Sequence, residues 1–239
     1  MADELETTAA EEEAAYLADL AKLNHQRAAT YGLLARMYRV EIDREQLEAM
    51  RGMRFPAATG NEDSDKGFLM LARYLSRAWD NTITELAVDY VRVFIGSTNQ
   101  LDGAAFPFES VYTSEKRLMM QDARDEVLAI YRAYGLSKDE SWREGEDHIA
   151  LELEFMKVLS ERIAAALESG NEDTAYDLMV AQLNFLQDHL LSWAPLLTVD
   201  MRRFAKTDFY LALSYLTDGF LETDKEYLLD MLTEVEEDE

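Results

Sequence analysis

Residues 144–167 read Glu-Gly-Glu-Asp-His-Ile-Ala-Leu-Glu-Leu-Glu-Phe-Met-Lys-Val-Leu-Ser-Glu-Arg-Ile-Ala-Ala-Ala-Leu. Leu151, Phe155, Val158/Leu159, Ile163 and Leu167 recur at three- and four-residue steps, the period of one helix face. Ser169-Gly170 closes the segment, and a cluster of acids around His148 opens it. The same spacing repeats to either side. Tyr176, Met179, Leu183, Leu186, Leu190 and Trp193 mark a core helix that Pro195 is expected to end. Tyr16, Leu20, Leu23, Ala28, Tyr31, Leu34 and Met37/Tyr38 mark a long first helix. Strand-like alternation is absent, so the chain reads as all-α.

The remaining segments follow suit. A short helix is expected over 43–52, then a loop from Phe55-Pro56 to Ser64. Phe68, Leu71, Ala72, Leu75 and Trp79 form an apolar face. Thr82 and Glu85 suggest a capping box for a helix carrying Ile83, Leu86, Tyr90, Val91 and Phe94, which Gly96 ends. Residues 97–112 form the longest central loop. Met120, Ala123, Val127, Ile130, Tyr131 and Tyr134 give a helix stopped by Gly135. Two more carry Phe209, Leu213, Leu216 and Phe220, then Leu228, Met231, Leu232 and Val235. The expectation is a single-domain helical bundle of about nine or ten helices over 13–235. An acidic, frayed N-terminus (1–12) and an acidic C-terminal tail (236–239) flank it.

Composition bounds the function. The chain has 239 residues, 48% of them hydrophobic, enough for one large buried core. Only 3 prolines and 10 glycines interrupt it, and the absence of cysteine excludes disulfides and thiolate metal sites. Forty-eight acids against 23 bases give a formal charge of −25, which repels a phosphate backbone and argues against nucleic acid as a partner. Such a surface permits a basic peptide without demonstrating one. No apolar run reaches the roughly eighteen residues a membrane span needs. The acidic start Met1-Ala2-Asp3-Glu4 does not resemble a secretory signal, so a cytoplasmic location is expected.

Enzyme signatures are missing. No GxGxxG, GxxxxGK, HExxH or GxSxG pattern occurs. No histidine follows a glutamate by three residues, as a di-iron bundle would require. Two segments carry candidate site chemistry. In the first, Phe106 and Phe108 straddle Pro107, and Glu109, Ser110, Val111 and Tyr112 follow. This loop either plugs the core or lines an apolar groove with a few polar groups. In the second, His148 lies between Asp147 and Glu146 with Glu144 and Glu152 four residues to either side. Three readings stay open for it: a helix cap, a metal site using Glu152, or a ligand contact. His25 and His189 are read as structural, Trp79 and Trp193 as core, and Trp142 as exposed.

Four features in order then resemble one family. Tyr90-Val91-Arg92-Val93-Phe94-Ile95-Gly96 is similar to its Y-x-x-L-F stretch. Pro107 to Tyr112 resembles its proline–aromatic–Ser–Val–Tyr loop. Asp147-His148 with Glu152-Leu153-Glu154-Phe155-Met156 resembles its acid–Asp–His helix start. Gln182, Phe185 and His189-Leu190-Leu191-Ser192-Trp193 resemble its Gln–Phe–His-Leu-x-x-Trp helix. Over roughly 80–220 the chain thus resembles the TorD/DmsD family of chaperones and their NarJ-like relatives. Gly145 stands where the family often has proline, and the loop keeps one proline of two.

The resemblance implies a TorD-like, non-enzymatic cytoplasmic chaperone without a cofactor, monomeric or a swapped homodimer. It implies binding of the twin-arginine signal peptide and apo form of a molybdopterin-containing reductase, with assistance in cofactor insertion and export proofreading. It also implies peptide contacts at Pro107, Phe108, Glu109, Ser110, Val111, Tyr112, Glu146, Asp147, His148 and Glu152. On that basis Asp147 and His148 are expected to matter more for binding than for folding. The alternatives are a NarJ-like factor for a non-exported nitrate reductase, or a helical metal- or nucleotide-dependent enzyme using Glu144, Asp147, His148 and Glu152.

Overall fold

A computed structural model describes residues 2–96 and 103–238, with side chains over 11–96 and 103–233. Ten α-helices make up the described chain: α1 Ala2–Arg39, α2 Arg44–Arg51, α3 Glu62–Ser76, α4 Thr82–Tyr90, α5 Glu109–Thr113, α6 Asp122–Ala133, α7 Ile149–Glu168, α8 Glu172–Phe185, α9 Leu191–Phe204 and α10 Asp208–Asp238. Among the described residues there is no strand, only one isolated antiparallel bridge. Helix α7, the segment that opens the sequence argument, is central. Ile149, Leu153, Met156, Leu159, Ile163 and Ala164 are fully buried, between α1 on one side and α8 on the other. Each such large apolar side chain contributes about 1.5–3 kcal/mol. Helix α10 closes the bundle against α3 and α9.

The glycine stops at 96, 135 and 170 all have positive φ (74°, 70° and 69°), a conformation that costs any side-chain-bearing residue strain. Helix α1 takes in the acidic start of the chain from Ala2. Other expectations are corrected. Thr82 and Glu85 do not form a capping box: the Thr82 hydroxyl accepts from the Trp79 amide, and Glu85 accepts from Tyr74. Pro195 lies inside α9 instead of ending its rod. A π turn at Leu186–Leu190 joins α8 to α9 and shifts the hydrogen-bond register just ahead of the residue that lacks an N–H. Another π turn, Val91–Ile95, extends α4 to Gly96. Of the long loop expected at 97–112, residues 97–102 lie outside the described residues, and 109–113 are helical.

The tryptophans also sort differently. Trp193 is core, but Trp79 is 60% exposed and Trp142 only 9%. An apolar period places a residue on a face without saying whether another element covers it. Beneath these surfaces, one buried polar network ties the first helix to the last. Arg27 donates to both oxygens of Asp224 at 2.6 and 2.9 Å, to Gln182 at 2.6 Å and to Asn24 at 2.6 Å, and Tyr31 donates to Asp224 at 2.6 Å.

Candidate functional site

The isolated bridge pairs Phe108 with His148 and so joins the two segments singled out in the sequence. The Glu109 amide donates to the Asp147 carbonyl at 2.9 Å, and the Ile149 amide donates to the Pro107 carbonyl at 3.0 Å. Side chains lock the join. The Ser110 amide donates to Asp147 Oδ2 at 3.1 Å, while Asp147 Oδ1 is buried without a partner. Gly145 fits this approach closely. A Cβ there would stand 2.7 Å from Asp147 Oδ1, so the residue that departs from the family's proline is the one with room.

His148 is the N-cap of α7. Its Nδ1 accepts from the Ala150 amide at 3.0 Å, which requires the neutral ring with the proton on Nε2. Phe108 and Trp142 stand edge-on to the ring at 5.0 and 5.1 Å. Burial pushes its pKa down to about 3. The unfolded imidazole therefore takes a proton near pH 6.5 that the folded one refuses until about 3. Stability contributed by neutral His148 is present above pH 6.5 and is lost as pH falls toward 3, at up to about 1.4 kcal/mol per pH unit. Urea unfolding between pH 7 and 5 should show this slope in the wild type and a flatter one in His148→Asn, which can still cap. Equal slopes would mean that the ring is not held neutral.

The acids around this join are buried too. Burial opposes ionisation of Glu146, but hydrogen bonds from Arg124 and Lys138 outweigh it and hold the carboxyl below the usual range. Those contacts are 2.6 Å from Arg124 Nε and 3.0 Å from Lys138 Nζ. Glu109 meets His189 Nδ1 at 3.1 Å. Glu152 accepts from Trp193 Nε1 at 3.1 Å, leaving Oε1 buried and unpartnered. Burial, reinforced by the charge of Glu109, pushes Glu152 well above the usual range.

Eight of the ten residues expected to touch a peptide are therefore interior: Pro107, Phe108, Glu109, Ser110, Glu146, Asp147, His148 and Glu152. Only Val111 and Tyr112 are half-exposed, and Tyr112 stacks on Trp193 at 5.6 Å. Asp147 and His148, expected to matter more for binding than for folding, are both buried and hydrogen-bonded into the join. The residues of the enzyme alternative do not converge on open space. Glu144 is on the surface, and His148 Nδ1 is committed to its own helix. Among the described residues no three His, Asp or Glu side chains are grouped to hold a metal.

The join does reach the surface through one bond. Ser110 Oγ accepts from the amide of Gln121 at 3.1 Å and so anchors the end of the loop between α5 and α6. Arg117 and Met120 of that loop have φ of 51° and 57°, unusual for residues with side chains. Leu118, Met119 and Met120 stand out at 48%, 52% and 64% exposure. Exposed Glu115, Lys116, Arg117, Asp122 and Glu126 flank them, with Asp125 paired to Arg124 at 3.1 Å. The sequence reading placed Met120 on the core face of α6 and missed this tip. The signal was there in three consecutive apolar residues set between Lys116-Arg117 and Gln121-Asp122.

Residues 61–199 match the model of the nitrate reductase delta subunit family. The chain belongs to that family. Its relatives include the chaperone protein TorD of Vibrio parahaemolyticus, 28% identical over 86% of this chain and 96% of that one. The TorD chaperone of Aliivibrio salmonicida is also 28% identical, over 88% and 98%. A crystal structure of a candidate redox enzyme maturation protein from Archaeoglobus fulgidus aligns with a TM-score of 0.44 and 17% identity, over 86% and 93% of the two chains. Both TorD relatives, matched along nearly their whole length, are named chaperones. No helix among its described residues is long and apolar enough to cross a membrane.

Proposed function

We propose that this family member binds the twin-arginine signal peptide and apo form of a molybdopterin-containing reductase in the cytoplasm, shielding the client until its cofactor is inserted and export is permitted. The observation that carries this reading is the exposed Leu118-Met119-Met120 tip, with Glu115, Asp122 and Glu126 exposed around it beside Lys116 and Arg117. A twin-arginine peptide offers guanidinium groups followed by an apolar stretch. Carboxylates pair well with guanidinium, and flexible methionine side chains adapt to varied apolar sequences. The chain's charge of −25 adds long-range attraction for such a ligand. In this reading the buried residues 107–110, 146–148 and 152 shape the tip from beneath, and Val111 and Tyr112 form its margin.

Calorimetric titration with a synthetic signal peptide tests the proposal. Replacing Leu118, Met119 and Met120 together by serine should weaken binding at least about tenfold, since losing even ~1.4 kcal/mol of buried apolar contact suffices. Unfolding should shift little, because the three side chains are already exposed. Unchanged affinity in this triple variant removes the tip from the site.

A separate expectation concerns salt. Affinity should fall several-fold between about 50 and 500 mM NaCl as the Debye length shrinks, mainly through a slower on-rate. Salt-independent binding would leave the acidity incidental. The family's description as a nitrate reductase subunit favours a second reading, in which the client is not exported. A client lacking its signal peptide should then bind as well as the intact one.

A further inference from the structure

We propose that Met119 and Met120 form an oxidative modification site: a peroxide converts their thioethers to sulfoxides and weakens the tip's hold on its peptide, and reduction restores it. The modification follows from exposure, whereas its effect on binding rests on the peptide reading above. One oxygen atom is transferred to each sulfur. A sulfur lone pair attacks one peroxide oxygen and forms the S–O bond as the O–O bond breaks. The departing hydroxide takes the remaining hydrogen from that oxygen and leaves as water, so sulfur is oxidised by two electrons and the peroxide is reduced. The reverse step needs a separate dithiol reductase, whose two thiols become a disulfide as the oxygen leaves as water.

Three observations converge on this pair. The chain contains no cysteine, so no thiol competes for the oxidant and methionine is left as its main sulfur target. Its 11 methionines differ sharply in access. Met120 and Met119 are 64% and 52% exposed, while Met37, Met50, Met156 and Met201 are at most 1% exposed. Oxygen on any of those four would place an unpaired polar group in the core, and burial shields them from it. Met53, 44% exposed just beyond α2, is open to oxidant but lies outside the tip. The third observation is the position of the pair. With Leu118, the two side chains are the apolar surface of the tip, and a sulfoxide turns a flexible apolar side chain into a polar one. The frame beneath is independent of either sulfur, because the Gln121 amide stays on Ser110 Oγ and no buried contact is lost. Oxidation thus changes what the tip presents and leaves the bundle that carries it.

The full chain, treated with dilute hydrogen peroxide, is mapped by peptide mass spectrometry and titrated calorimetrically with a synthetic twin-arginine peptide before and after treatment. Met119 and Met120 should gain oxygen well before Met37, Met50, Met156 or Met201. Affinity should then fall at least about fivefold, with the urea midpoint unchanged. Methionine sulfoxide reductases for both epimers, with dithiothreitol, should restore it. Met53→Leu should respond as the wild type does. Met119→Leu with Met120→Leu should show no change on treatment, whatever affinity it starts from. Core methionines oxidised as fast as the pair, unchanged affinity once the pair is oxidised, or an equal loss in the double leucine variant would each overturn the proposal. Absence of binding before any oxidant is added would overturn the peptide reading and the switch together, a failure distinct because it precedes treatment.

Discussion

Asp147→Ala combined with His148→Ala is expected to lower folding stability by about 4 kcal/mol. Three losses add. Removing the α7 cap costs about 1 kcal/mol, because the Ala150 amide is left with no acceptor. Deleting an imidazole packed between Phe108 and Trp142 opens a cavity, a change that costs about 2 kcal/mol or more for a large buried side chain. Losing Asp147 Oδ2 orphans the buried Ser110 amide for about another 1 kcal/mol. Natural domains hold only about 5–15 kcal/mol in total, so the variant should unfold at markedly lower urea. Peptide affinity should fall as well, since Ser110 no longer holds Gln121. A variant of wild-type stability that fails to bind would return these residues to the peptide-contact role first expected of them.

Glu152 should distinguish its own two replacements. Glu152→Ala leaves the Trp193 Nε1–H without an acceptor and creates a void inside α7, for a cost of about 3 kcal/mol. Glu152→Gln keeps an acceptor oxygen and the shape of the protonated acid, so it should be nearly neutral at low pH. The sign then favours glutamine as pH rises. Glu152 has a raised folded pKa, so the folded state keeps a proton that the unfolded chain releases above about 4.5. Wild-type stability is lost across that rise, and Glu152→Gln is spared the loss. Urea unfolding from pH 5 to 8 measures both. A glutamine variant as damaged as the alanine one would mean that Glu152 is ionised in the fold.

The helices were legible because burial imposes their period. Leu153, Met156, Leu159 and Ile163 of α7 must all face inward, and no other repeat accomplishes that. The glycine stops were legible for an equally local reason, the positive φ at 96, 135 and 170. The pairing of the 107–112 loop with the 146–148 cluster was suggested only by a resemblance, because a bridge between residues forty apart leaves no local pattern. What a single sequence could not convey was depth. Acids, serine and histidine are typical of both a binding cleft and a buried polar join. Only the partners, Ser110 for Asp147 and Ala150 for His148, separate the two. Trp79 and Met120 failed for the converse reason, since each has an apolar spacing that no neighbouring element covers. The π turn before Pro195 likewise depends on the register of a whole rod, not on its local residues.

The central claim is that a client peptide docks on the tip between α5 and α6, over a buried polar join that it does not enter. Hydrogen–deuterium exchange of the protein, free and saturated with a twin-arginine signal peptide, tests it most directly. Amides of residues 114–121 should gain protection on binding, while those of 148–156, already deep in α7, should exchange equally slowly in both states. Protection confined to other surfaces, with 114–121 unchanged, would contradict the account.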